Sequence, residues 1–329
     1  PGAEHPPPLP RGGGCSAPGR PRPASGEKRG AEVGLFRPCG GRLLACNAAM
    51  STDRSVPLPR LFQIAYSEAT LAAVEPGYEV LDNRANERPD WYEYWPIRQF
   101  LLNQRLEDDQ FYGFFSPKFG SKTGLSHAQV ATLVDSAAAR PGGVDVVLFS
   151  PQPDMGAFFL NVFEQGETFD PGLIDAYQAF LAHIGWQVNL HGLIMDSRQI
   201  VFSNYFVARP AFWRAWLQLN EALFAVCDGP ESELQRALTK PTTYPGSAQR
   251  KVFLQERAAS LLLTLQPQWR TCAANPFTMG WSASRLREHP AEAAMSDALK
   301  LAWREHRFPE YLRAFVTLRE RYLATVAGS

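Results

Sequence analysis

The chain has 329 residues, 45% of them hydrophobic, which suffices for one large soluble domain or two modest ones. Its 33 basic and 33 acidic side chains cancel, which argues against a nucleic-acid-binding protein, whose surface would carry a basic excess. No apolar run is long enough to cross a bilayer.

Composition shifts along the chain. Residues 1–49 hold 9 of the 27 prolines, 10 of the 25 glycines and 3 of the 5 cysteines, with no period of 2 or 3.6, so residues 1–58 are expected to be disordered. Met50 opens a stretch that reads as a protein start, and residues 1–49 are expected to be upstream translation. Beyond it only Cys227 and Cys272 remain, without disulfide or metal spacing, so a reducing cytosol is expected.

In chain order, LFQIAYS (61–67) reads as a strand, EATLAAV (68–74) as a short helix and YEVLDN (78–83) as a second strand, an α/β opening. After a loop over 84–91, residues 91–104 have the spacing of a helix with one buried face, and Pro96 marks a kink or a restart. FYGFF (111–115) and DVVLF (145–149) are continuous apolar runs, as in strands covered on both sides. Between them 126–140 is a helix with Ser126 as N-cap, predicting a parallel strand–helix–strand unit. Both runs leave through Phe-Ser-Pro, at 115–117 and 149–151. Helices are further expected over 154–165, with Asp154 as an N-cap candidate, and over 171–185, 208–227, 247–265, 292–307 and 309–326.

Several chemistries lose ground. GSKTG (120–124) lacks the upstream glycine frame of a phosphate loop, no Gly-x-Ser-x-Gly elbow occurs, and no histidines stand at ligand spacing. What remains is a density of rings with nearby carboxylates and amides at predicted strand ends, suited to sugars and bases. Asp82 and Asn83 end the second strand, and Asp154 follows the second Phe-Ser-Pro. Lys118 follows the first and reads as a phosphate contact or a solvated lysine. Glu256, beside Arg250 and Arg257, reads as a pocket carboxylate or a helical ion pair.

These segments resemble bacterial GT-A-type glycosyltransferases of capsule and lipopolysaccharide synthesis. Phe111–Phe115 matches that group's Tyr-x-Gly-hydrophobic strand. Asn204–Ala208, followed by Arg209-Pro210, matches a later strand, and 244–263, with Arg250, Phe253 and Gln255-Glu256-Arg257, matches a helix. The resemblance covers roughly residues 60–265. It departs where the group carries a basic run after the first strand and this chain has Ser116-Pro117-Lys118-Phe119, and it lacks an Asp-x-Asp metal motif, since Asp108 and Asp109 are adjacent.

The resemblance implies a single GT-A-like, Rossmann-like domain over 59–265, a mostly parallel sheet flanked by helices, with a helical C-terminal extension over 266–329. It implies a UDP- or GDP-sugar donor across the carboxyl ends of the early strands, Tyr66, Asp82 and Asn83 near base and ribose, and Lys118 near the diphosphate. Asn204 is expected to contact sugar or acceptor, and Glu256 and Asp154 are the catalytic candidates. Mg2+ or Mn2+ is the cofactor such enzymes use, an expectation the missing Asp-x-Asp weakens. The implied partners are the donor and a polysaccharide or lipid-linked glycan acceptor, in the cytoplasm or in peripheral contact with the inner membrane. The alternatives are a carbohydrate-binding assembly protein without catalysis and, with less support, a glycoside hydrolase, which needs two facing carboxylates.

Overall fold

The computed structural model describes residues 57–244 and 248–323, all within one compact unit. The expectations of disorder before residue 57 and of a start at Met50 lie outside the described residues.

The first half builds one side of a sheet. Strand β1 (Arg60–Ala65) leads through helix α1 (Glu68–Ala72) to β2 (Glu79–Asp82), and helix α2 (Tyr94–Asn103) leads to β3 (Tyr112–Phe115). Helices α3 (Phe119–Thr123) and α4 (His127–Ala138) precede β4 (Val146–Leu148). Short helices α5 (Pro153–Ala157) and α6 (Val162–Phe169) and the longer α7 (Leu173–His183) lead to β5 (Phe206–Ala208). Helices α8 (Pro210–Cys227), α9 (Glu233–Thr239), α10 (Arg250–Glu256) and α11 (Ala258–Leu265) precede β6 (Thr271–Ala273). Helices α12 (Pro290–His306) and α13 (Pro309–Leu323) form an antiparallel hairpin.

The six strands lie in the order β2-β1-β3-β5-β4-β6. Only β5 runs against the others, pairing antiparallel with β3 and β4. The expected strand–helix–strand unit therefore has two strands that point the same way but are not neighbours, because β5 inserts between them. Alternation along the strands divides the core. Phe62, Ile64, Phe114, Leu148 and Phe206 face a layer built from α2, α7, α8 and α11. Leu61, Phe115, Val147 and Val207 face α4 and Phe119. Both faces are covered, as the unbroken apolar runs required. Trp213 seals the larger face by donating its indole N–H to the Tyr112 carbonyl at 2.9 Å.

Several boundaries differ from the sequence reading, each for a local reason. The helix expected over 154–165 is two, because Asn161 caps a new one. Its Oδ1 accepts from Phe163 N and Glu164 N, while its Nδ2 donates to the Leu190 and Leu193 carbonyls. Asp154 is not an N-cap; Gln152 holds that place in a left-handed conformation. The 247–265 helix breaks at Arg257, whose buried guanidinium turns inward to the Val162 and Phe253 carbonyls and Gln165 Oε1, all at 2.8 Å. A Cβ at Gly166 would lie 2.6 Å from that guanidinium, so the glycine is what lets α6 pass over it. Pro96 sits in the first turn of α2, where its missing N–H has no intrahelical acceptor to lose. Ser126 caps α4, as expected, and does so in a capping box with Gln129. The sheet also continues past residue 265, since β6 pairs with β4.

Candidate functional site

The carboxyl ends of β1, β2, β3, β4 and β6 lie on one edge of the sheet, and antiparallel β5 begins there. Chain reversals at this edge are strained. Six non-glycine residues have positive φ among the described residues, and five of them stand here or just before an element that points here: Asn86 (42°), Tyr92 (46°), Gln152 (59°), Ser203 (57°) and Asn204 (55°). Strain of this kind persists where the surroundings over-determine it and often marks functional geometry.

Around β1, β3 and β5 the edge carries a polar cluster. Tyr66 follows β1 directly, and its buried hydroxyl has no hydrogen-bond partner among the described residues. Ser116 follows β3, and its hydroxyl meets that of Tyr205 at 2.7 Å. From α3, Lys122 donates to Ser203 Oγ at 2.9 Å and lies 5.6 Å from the centre of the Tyr205 ring. Asn204 donates through Nδ2 to Gln255 Oε1 at 3.2 Å. That pair leaves Asn204 Oδ1 and Gln255 Nε2 buried and unpartnered among the described residues, one acceptor and one donor side by side.

Two carboxylates complete the cluster, each keeping part of its surface open. Glu256 ends α10 next to Gln255. Burial, then the charge of Glu93, push it up to about 7, against the pull of Arg257 and Lys122. Glu93 precedes α2 and is raised as well, because burial outweighs its own main-chain N–H and the charges of Lys122 and Lys118. The Tyr66 and Tyr205 hydroxyls are pushed upward by burial and then, with the Ser116 hydrogen bond opposing at Tyr205, by Glu93. The fields of Tyr66, Glu93, Lys118, Lys122, Tyr205 and Glu256 therefore overlap in one place.

The scaffold fixes the two carboxylates against each other. Lys251, on α10 with Glu256, is nearly buried, packs 4.4 Å from the Trp91 ring centre and bonds Asp90 at 2.5 Å. Against the cost of burial, hydrogen bonds from Arg88 and Lys251 draw Asp90 down to about 2. Arg88 continues the chain of charges to Asp228 at the end of α8. The turn that presents Glu93 is thus pinned to the helix that presents Glu256. Lys122 is held from behind: Gly280 N donates to its carbonyl at 3.0 Å, and a Cβ at 280 would overlap that oxygen.

Of the residues singled out from sequence, the structure brings together Tyr66, Asn204 and Glu256, with Lys118 at the exposed rim. Asp82 and Asn83 stand one strand further out. Asp82 is drawn down to about 2 by side-chain and backbone hydrogen bonds from Arg84, which also bonds Glu68. Asn83 N donates to the Ala65 carbonyl at 2.8 Å, and its Nδ2 meets Asn86 Oδ1 at 3.5 Å. Asp154 is apart from the cluster and fully buried. It accepts from Ser282 N at 3.1 Å, from the Ser282 hydroxyl, and from Ser284 Oγ at 3.2 Å. Glu93, Lys122, Tyr205 and Gln255 were not singled out. Their signals were faint: a carboxylate between aromatic rings, a lysine in an incomplete phosphate loop, and neighbours of Asn204 and Glu256.

No group of three or more His, Cys, Asp or Glu that could hold an ion occurs among the described residues. Asp108 is paired with Arg214, and the charge of Lys122 acts on both Glu93 and Glu256. No helix among the described residues is long and apolar enough to cross a membrane. No family model, no curated protein and no solved structure matches the chain.

Proposed function

We propose that the protein is a glycosyltransferase of GT-A-like build. It takes a UDP- or GDP-sugar and passes the sugar to a hydroxyl of a polysaccharide or lipid-linked glycan. The observation that carries this reading is the convergence of two desolvated carboxylates, two lysines and a half-satisfied amide pair at the carboxyl ends of a mostly parallel sheet, where open α/β sheets bind ligands. From the end of β2 to the start of β5 is three strand spacings, about 14 Å, a span suited to an extended nucleoside diphosphate sugar. Base and ribose would lie toward Tyr66, Asp82 and Asn83, and the diphosphate toward Lys118 and Lys122. Asn204 and Gln255 offer one acceptor and one donor to sugar hydroxyls.

In the step this arrangement supports, the acceptor hydroxyl gives its proton to Glu256 as its oxygen bonds the anomeric carbon. The bond from that carbon to the diphosphate breaks, and the nucleoside diphosphate leaves with the electron pair, its charge met by the lysines. A carboxylate poised near neutrality is well matched to taking a hydroxyl proton. Preorganised cations stabilise a leaving group at little reorganisation cost. The step is not routed through a metal.

Incubation with a panel of UDP- and GDP-sugars, alone and with glycan acceptors, is expected to release UDP or GDP from at least one donor, read by mass spectrometry. Donor binding without release would point to a binding protein that lacks catalysis. The absence of both binding and release would overturn the proposal.

A further inference from the structure

A helix that docks on a core normally presents an apolar stripe to it. The α12–α13 hairpin does not. α12 buries Ala293, Ser296, Asp297 and Lys300, three of them polar, and α13 buries Phe315. Neither helix contributes a residue to the two clusters that pack the faces of the sheet. Their apolar contacts lie in a third, small cluster, where Ala293, Tyr322 and Leu323 meet Met155, Phe158 and Phe159 around α5. The Phe158 and Tyr322 rings lie 5.6 Å apart.

Charged groups supply the rest of the attachment. Lys300 is fully buried, and its ammonium donates to the carbonyls of Gly156 and Phe159 at 2.7 and 2.8 Å. These carbonyls stand at the carboxyl end of α5 and just past it, where helical carbonyls have no donor within the helix, so Lys300 serves as the cap of α5. Asp297 accepts from Ser197 N at 2.8 Å. Arg304 donates to the Ile194 carbonyl at 2.8 Å and stands 3.3 Å from Asp196, and Arg319 pairs with Glu164 at 2.7 Å. Buried ions fix a geometry closely but add little net stability, because desolvation offsets their attraction; removing one partner is nevertheless costly. The hairpin is therefore placed exactly where the charges put it and held there shallowly. It follows β6, so it can leave without breaking a strand pair of the sheet.

We propose that the α12–α13 hairpin is a strap that opens from α5 as one unit while the sheet stays intact, with Lys300 as its clasp. In the open form α5 loses its cap, and Met155, Phe158 and Phe159 lose their cover. The exit of β4 is then freed at the sheet edge that carries the candidate site. The strap does not depend on what that site binds.

The test is hydrogen–deuterium exchange of the full chain, read peptide by peptide. Amides of α12, α13 and residues 153–160 are expected to exchange together, at least about 100-fold faster than those of β1, β3 and α8. Lys300→Met is expected to speed that group at least about tenfold further and to leave β1, β3 and α8 unchanged. Arg319→Leu removes the pair with Glu164 near the surface; it is expected to give the same pattern more weakly, and it carries the test should Lys300→Met not fold. Hairpin amides as protected as those of β1 and β3, exchange of 153–160 uncoupled from the hairpin, or substitutions that speed every element alike or none would overturn the strap.

Discussion

Replacing Glu256 by Gln is expected to lower the rate of sugar transfer by about 10^3-fold while donor affinity stays within about threefold. The amide keeps the shape and polar contacts of the carboxylate but cannot take a proton. In the wild type the carboxylate is held near 7 by burial and by Glu93, so transfer is expected to rise with pH through about 7 and then level off. The variant's residual rate should lack that limb. Stability gives an independent check with a definite sign. A carboxyl raised in the fold binds more protons folded than unfolded between its ordinary value of 4.5 and about 7, so its contribution to stability falls as pH rises through that window. Glu256→Gln removes the effect, and its melting temperature should gain on the wild type from pH 4.5 to 7 and stay level above. A variant that transfers sugar at the wild-type rate would remove Glu256 from the chemistry.

Asp154→Ala is expected to cost about 3 kcal/mol of folding stability, read as a lower urea midpoint at unchanged slope. Three donors from Ser282 and Ser284 converge on this fully buried carboxylate, and all three lose their acceptor together. These bonds tie the exit of β4 to the loop after β6, the loop from which Gly280 braces Lys122. The expected loss is of folded protein, with turnover per folded molecule changed far less than in Glu256→Gln. A collapse of turnover with stability intact would make Asp154 catalytic instead.

The difference between these two carboxylates explains how much of the molecule was legible in the sequence. Local chemistry was readable. Ser126 and Gln129 stand at capping-box spacing, Pro210 opens α8, and the runs at 111–115 and 145–149 announced strands buried on both faces. Long-range pairing was not. β6 is three residues, Thr271–Ala273, extended only because β4 pairs with it, and nothing in its composition marks it. The insertion of β5 between β3 and β4 is likewise a tertiary choice. The site was half legible for the same reason. Glu256 drew notice as a carboxylate in an apolar helix pattern and Asn204 through the resemblance, but Asp154 looked equally suitable until its serine partners, more than a hundred residues away, came into view. Glu93 was hidden because WYEYWP reads as one face of a helix; its role depends on Tyr92 turning the chain and on the Asp90–Lys251 pair pinning the turn. Lys122 was passed over because its loop is not a phosphate loop, yet α3 carries it back over Tyr205.

On this reading the cluster holds a nucleotide sugar. The most direct measurement is a calorimetric titration of UDP and GDP into the wild type and into Lys122→Met. One nucleotide is expected to bind one-to-one with a Kd below about 1 mM, a free energy of at least about 4 kcal/mol, and to weaken at least about tenfold in the variant. Absence of binding by either nucleotide, or equal affinity in both proteins, would rule out a nucleotide-sugar site in this cluster.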